Sequence, residues 1–241
     1  MEYEIPKTKC LLCGSEYSAR GIGKHLGSYL LKSLSKVDND ATESYFHVVV
    51  QAKYDKDYFL HLLISSNITL ENLDRFLRDI WLECCFHESK FYRNLPKGEW
   101  EPQLAKSNSI KEVASIGGPL RYLYDFGSTT ELVIRFVKNY EKGLQGTGKI
   151  QLLARNAHPV IPCEECGKYP AVHVCSICHR WDGGGWVCDK CLPKHDCEDE
   201  AFLPVVNSPR TGICAYTGVI EERPTPENLR KAIEAMRKGK N

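Results

Sequence analysis

The alternation of apolar and polar positions first becomes regular at Tyr45. Phe46, Val48, Val50 and Ala52 alternate with more polar neighbours, and Tyr58, Leu60, Leu62 and Ile64 repeat the pattern after a turn at Asp55-Lys56-Asp57. A period of two predicts a β-hairpin with one core face. Thr69 then precedes Leu70, Leu73, Phe76, Leu77, Ile80 and Trp81, the spacing of a capped helix with a buried stripe. Three more strands are predicted over 120–126, 132–138 and 149–155. Hairpin, helix and further strands predict an α+β fold in which a helix packs on a mixed or antiparallel sheet. Upstream, residues 18–34 can form a helix with Leu26, Leu30 and Leu34 on one side, weakened by glycines at 21, 23 and 27. Downstream, Thr225-Pro226 reads as an N-cap and first-turn proline before a helix carrying Leu229, Ile233 and Met236. The pattern divides the chain into a finger-like segment (1–40), an α+β domain (41–157), a cysteine-rich module (158–200), a loop (201–224) and a C-terminal helix (225–241).

The chain has 241 residues, 42% apolar and 26% charged, with a net charge of +1, so bulk charge selects no class of partner. Met1-Glu2-Tyr3-Glu4-Ile5-Pro6 has neither a basic lead nor an apolar run, and no stretch approaches the ~18 apolar residues of a membrane span. A cytoplasmic protein without membrane contact is expected. Twelve cysteines without an export signal point to metal ligation in a reducing compartment rather than to disulfides.

Eight candidate ligands fall between residues 163 and 197: the pairs Cys163/Cys166, Cys175/Cys178 and Cys188/Cys191, then His195 and Cys197. Two thiolates three residues apart on a tight turn can share an ion, and zinc takes four such ligands in a tetrahedron. Two closed structural zinc sites are expected, with no position left for water. Sequential pairing would fold Cys188, Cys191, His195 and Cys197 round one ion on a very short loop. Interleaving instead joins Cys163 and Cys166 to Cys188 and Cys191, and Cys175 and Cys178 to His195 and Cys197; it is the favoured arrangement. In that form the spacing resembles the B-box, RING and ZZ group of cross-brace modules, with the B-box closest. The resemblance implies a protein-interaction module and does not carry ligase activity with it.

Cys10, Cys13 and His25 make the first three-quarters of a two-Cys, two-His finger, but Ser28, Tyr29 and Leu30 stand where the fourth ligand belongs. The segment either holds a third zinc or is a packed remnant of a finger. Residues 1–37 carry six basic residues, Arg20, Lys24 and Lys32 among them, against three acids. Nucleic acid would bind there if anywhere, because phosphate charge dominates that affinity. Residues 156–200 are instead −4 formally, and about −7 with seven thiolates and two zinc ions counted. Trp181 and Trp186 flank Asp182-Gly183-Gly184-Gly185 and either fill the module's small core or anchor a partner.

Other signals point away from chemistry. His47 and His61 read as sheet-surface residues too far apart to share a metal. Cys84 and Cys85 would diverge on a helix and read as buried small residues, as does Cys214. Gly143 to Lys149 matches a phosphate-loop spacing, but Ile150 stands where Ser or Thr belongs and a strand follows, so a hairpin loop and no nucleotide are expected. Asp125-Phe126-Gly127 lacks the other kinase motifs, and Asp125 reads as a turn residue.

Tyr122-Leu123-Tyr124-Asp125-Phe126-Gly127, with the hairpin, the Thr69-Leu70 helix start and Trp81 followed by His87 and Phe91, resembles the plasmid pRiA open-reading-frame-three family, also labelled TnpR-like, over about 43–156. The resemblance implies a compact α+β domain with some ubiquitin-like character at its start and names no reaction. No catalytic constellation emerges. The expected function is that of a non-enzymatic zinc-binding adaptor with a protein partner, the alternative being a nucleic-acid-binding accessory protein of mobile-element type.

Overall fold

The chain enters through a two-strand ribbon, β1 (Thr8–Lys9) paired with β2 (Glu16–Tyr17), and a helix α1 (Ile22–Leu34). The computed structural model describes residues 7–34, 43–93, 102–115, 117–144, 148–197 and 201–218, and only the backbone at 181 and 182. Helix α1 starts four residues later than the pattern suggests. Ser18 forms a turn before it, its hydroxyl accepting from the Gly21 amide at 3.1 Å. Ile22, Leu26, Leu30 and Leu34, four apart, make the buried stripe. The predicted C-terminal helix with Leu229, Ile233 and Met236 lies outside the described residues.

The central sheet has seven strands. The predicted hairpin is present as β3 (Tyr45–Ala52) and β4 (Phe59–Ser65). They are joined by β5 (Ser89–Arg93), β6 (Gln103–Leu104), β7 (Leu120–Tyr124), β8 (Thr130–Tyr140) and β9 (Ile150–Arg155) in the order β6-β5-β7-β8-β3-β4-β9. Every neighbouring pair is antiparallel. The predicted stripe helix is α2 (Leu70–Leu77), prolonged by a π-helical turn at Arg78–Leu82, and α3 (Ile110–Ser115) follows. Thr69 caps α2 through Asn72, whose Oδ1 accepts from the Thr69 amide at 3.2 Å. Val48, Val50, Leu60, Leu62 and Ile64 meet Leu70, Leu73, Leu77 and Trp81 on one face. The fold is thus a mixed sheet-plus-helix architecture.

The hairpin does not have a single core face. Phe59, His61 and Leu63 point to the opposite side of β4, and α1 covers them there together with Tyr45, Leu153 and Ala154. A central strand between two layers is apolar on both sides. His47 and His61 are correspondingly not surface residues; they are only 1% and 6% exposed, and His47 Nε2 lies 3.0 Å from His61 Nδ1. The register explains the correction. His61 sits opposite Val49 rather than Gln51, so the two rings are diagonal neighbours on one face. Helix α1 packs directly on this side, a Cβ at Gly23 standing at contact distance, 3.4 Å, from His61 Cε1.

The connection from β8 to β9 is not a hairpin loop either. β9 pairs with β4, so the chain crosses the ends of two intervening strands. A Cβ at Gly143 would strike the Tyr45 ring at 2.5 Å, which keeps that crossing against the sheet.

Burial holds the imidazoles of His47 and His61 down at about 4, His61 further through His47 and Arg135. Both are neutral when folded but take up protons near 6.5 when unfolded. Their contribution is therefore complete above that value and is lost as pH falls towards 4. Urea titrations should show stability falling between pH ~6.5 and ~4.5 by up to ~1.4 kcal/mol per pH unit per histidine. A His47→Leu/His61→Leu variant should lack that increment, and identical pH slopes for the two proteins would disprove the assignment.

Candidate metal centres

The cysteine-rich module is built from turns held by backbone hydrogen bonds. A three-stranded sheet, β11-β10-β12, joins β10 (His173–Cys175), β11 (Trp186–Val187) and β12 (Phe202–Pro204). Helix α4 (Ser176–Asp182) follows β10 directly. Around Cys163 and Cys166 the chain makes a knuckle, the Gly167 amide donating to Cys163 O at 2.8 Å with Gly167 at φ 62°. A second knuckle is closed by the Cys191 amide on Cys188 O at 3.0 Å.

These turns bring the ligands together in the interleaved arrangement. Cys163, Cys166, Cys188 and Cys191 form one group, and Cys175, Cys178, His195 and Cys197 another, each with its donor atoms within 4.8 Å of one another. The Cys166–Cys188 and Cys178–Cys197 sulfur separations are both 3.9 Å, and Cys178 Sγ lies 3.5 Å from His195 Nε2. Four sulfurs bound to zinc at ~2.3 Å stand about 3.8 Å apart in a tetrahedron, so the donor spacing fits that ion. His195 Nδ1 faces Glu165 Oε1 at 3.3 Å, the outer carboxylate contact that orients a metal-binding imidazole. Glu165 lies between Cys163 and Cys166, which links the two groups.

Thiol acidity shows why a cation suits each group. The amide of Lys168 leads in lowering Cys166 to about 6, while burial and the neighbouring thiols push Cys191 up to about 12. In the second group burial opposes ionisation of Cys175, but the amides of Cys178 and Ile177 bring it down to about 7; burial and Cys175 raise Cys178 to about 12. Crowded thiols cannot all ionise against one another, and a divalent cation removes that penalty.

The glycine run closes onto the second group. Gly183 ends α4 in the left-handed region, and a Cβ at Gly185 would come within 3.0 Å of Cys178 Cβ. Glu164 Oε2 accepts from the Gly185 amide at 2.6 Å. Trp186 is half-buried and meets His179 edge-on at 5.0 Å, so it packs within the module. The side chain of Trp181 lies outside the described residues.

At the N-terminus Cys10, Cys13 and His25 gather as a three-donor group, with Cys13 Sγ 3.4 Å from His25 Nε2. Tyr17 stacks on His25 with ring centroids 4.1 Å apart. Ser28 is exposed and Leu30 fully buried, so neither adds a donor. Arg20, Lys24 and Lys32 are all exposed.

A fourth group escapes sequence reasoning: Cys84, Cys85, His87 and Cys214. Helical divergence does not apply to Cys84 and Cys85, because the helical path ends at Leu82. Cys85 and Cys214 are exposed and Cys84 half-buried, so none is the buried thiol expected. The signal available was arithmetic: the other three candidate ligand sets use nine of the twelve cysteines and leave Cys84, Cys85 and Cys214 over. Asp125 is the turn residue expected, its Oδ1 accepting from the Gly127 amide at 2.9 Å. Beyond the expectation, it also pairs with Arg210.

Cys163→Ser and Cys175→Ser should each lower the metal-to-protein ratio by about one ion and loosen the module, since binding and folding are coupled in such sites. Elemental analysis of protein purified without chelator decides it. Unchanged ratios in both variants would remove these groups as metal centres.

No protein-family model and no curated protein matches the chain. Among solved structures it is similar to a protein of unknown function from Methanosarcina mazei Go1, with 15% sequence identity over 48% of this chain and 70% of that one, at a TM-score of 0.42. A likeness of that size carries no argument. Among the described residues no helix is long and apolar enough to cross a membrane. What the geometry establishes is a set of Cys/His groups able to hold metal ions on a sheet-plus-helix scaffold.

Proposed function

We propose that the chain is a non-enzymatic zinc-binding protein whose module over 158–200 works as a protein-interaction or adaptor unit of the cross-brace kind. The plasmid-family resemblance over about 43–156 belongs to the same proposal. The observation that carries the reading is the pair of interleaved four-donor groups. Four protein ligands complete a tetrahedral zinc and leave no open position for water or substrate, which favours a structural ion over a catalytic one. The surface is consistent with recognition of a protein. Val160, Tyr169, Val172 and Ile177 are each 40–45% exposed, and the surrounding segment is strongly acidic. A partner with basic and apolar side chains suits such a surface.

The test separates folding from recognition. Ile177→Asp and Tyr169→Ala should retain full metal content yet lose at least ten-fold in affinity for a protein that co-purifies stoichiometrically with the wild type. Equal affinity in the metal-replete variants would place recognition elsewhere.

A second reading is favoured by one observation. Lys24 and Lys32 are exposed on α1, and at ~100° per residue they fall within about 80° of each other, opposite the buried stripe. Together they offer a basic face to phosphate, and the exposed Arg20 lies in the turn just before the helix. If that face binds nucleic acid, the affinity should fall steeply with salt, and Lys24→Glu/Lys32→Glu should abolish it. Salt-independent binding, or binding unchanged in the double variant, would count against this use of the segment.

A further inference from the structure

The geometry points to a further zinc centre, with three thiolates and one imidazole, formed by Cys84, Cys85, His87 and Cys214, which clamps the segment after the module onto the α+β domain. The spacing is that of a tetrahedral site. Cys85 Sγ is 3.7 Å from Cys214 Sγ, and Cys214 Sγ is 3.5 Å from His87 Nε2. Zinc bound at ~2.3 Å to sulfur and ~2.0 Å to nitrogen would hold its donors at about these separations.

The backbone gives an independent indication. Among the described residues, the non-glycine positions with positive φ are Phe86 at 58°, Asp125 at 63° and Cys214 at 55°, and all three lie at this place. Phe86 stands between two of the donors, and Cys214 is itself a donor. A left-handed conformation is costly for Phe and Cys, and such strain gathers where a ligand or clamp sustains it. The outer contacts suit a thiolate. Arg210 Nε donates to Cys84 Sγ at 3.4 Å, and Arg210 is wholly buried, so the sulfur meets a fixed cation.

Two other uses of these side chains fit less well. A Cys-His-Asp relay needs its two partners on different imidazole nitrogens, but His87 Nε2 faces both Cys214 and, at 3.6 Å, Asp125 Oδ2. A disulfide between Cys85 and Cys214 would need their sulfurs at ~2.05 Å, far closer than they stand, and would leave Cys84 and His87 without a role.

The consequence is mechanical. Residues 205–216 run from the module's strand β12 back across the domain, where Ser208 Oγ donates to Trp81 O at 2.6 Å and Tyr216 is buried. The zinc would close the far end of this strap. Its donors come from opposite sides of the module in sequence, so the ion would secure a loop of more than a hundred residues.

Thiol footprinting of the full-length protein tests this directly. In zinc-loaded protein, exposed Cys85 and Cys214 should react with iodoacetamide at least ten-fold more slowly than after chelation. Cys214→Ser should contain about one zinc fewer than wild type, while His87→Cys should keep the full complement, because four thiolates also hold zinc. Cys175→Ser, which removes a donor of the module's own group, should leave the protection of Cys85 and Cys214 in place, so failure of either assignment is read separately. Equal alkylation rates with and without chelator, unchanged zinc in Cys214→Ser, or a Cys85–Cys214 disulfide in the protein as isolated would each overturn the proposal.

Discussion

The guanidinium of Arg210 is completely buried, and the surrounding structure has to answer its charge. Removing one partner from such a pair typically costs about 3–5 kcal/mol, because the other charge is left without water or a counter-ion. Here Nη2 donates to Asp125 Oδ2, while Nη1 donates to Ser128 O at 3.0 Å and Thr130 Oγ1 at 3.2 Å. The ring of Tyr124 meets two cations, with its centroid 4.8 Å from the Arg210 guanidinium and 4.9 Å from that of Arg78. Asp125 and Ser128 belong to the turn that joins β7 to β8 and Thr130 opens β8, so the strap carrying Arg210 docks on this end of the sheet. Burial alone would raise the Asp125 carboxyl; Arg210 and the Gly127 and Ser128 amides hold it below the usual range.

Asp74 follows the same rule inside the domain. It is 3% exposed and accepts from Ser89 Oγ at 2.6 Å, Tyr122 Oη at 2.7 Å and Lys106 Nζ at 2.9 Å. Arg78 adds a contact from the next turn of its own helical path at 3.2 Å. One carboxylate thereby ties α2 to β5 and β7 in a single register. A network satisfied in this way specifies an arrangement that apolar packing alone leaves open.

The strap makes the module part of the same body. It leaves the module's strand β12, which pairs with β10, and Arg155 of β9 donates to its Asn207 O at 2.6 Å. Asn156 Nδ2 donates to Asn207 Oδ1 at 2.6 Å, and Asn207 Nδ2 donates back to the Asn156 main-chain O at 3.0 Å, both buried. Gly212 packs so closely on His179 that a Cβ would lie 2.8 Å from its ring. A cysteine-rich unit too small for a large core thus gains support from a neighbour. Its acidic charge is kept apart in sequence from the basic residues of the N-terminal helix.

Short-range information alone determined much of this protein. Period-two alternation located β3 and β4, period 3.6 located α2, and three CxxC pairs with the nearby His195 and Cys197 marked eight candidate metal donors, because each depends on neighbours within a few residues. The tertiary structure decided what lay across longer separations. Burial of His47 and His61 required α1 to cover the back of β4, and the path from β8 to β9 required β3 and β4 to come between them. Nothing local marks Arg210 as a buried cation or brings Cys214 to Cys84, Cys85 and His87, 127 residues from the last of these. Such contacts form only when the whole chain has folded, since a side chain's surroundings are set by packing and not by its place in the sequence.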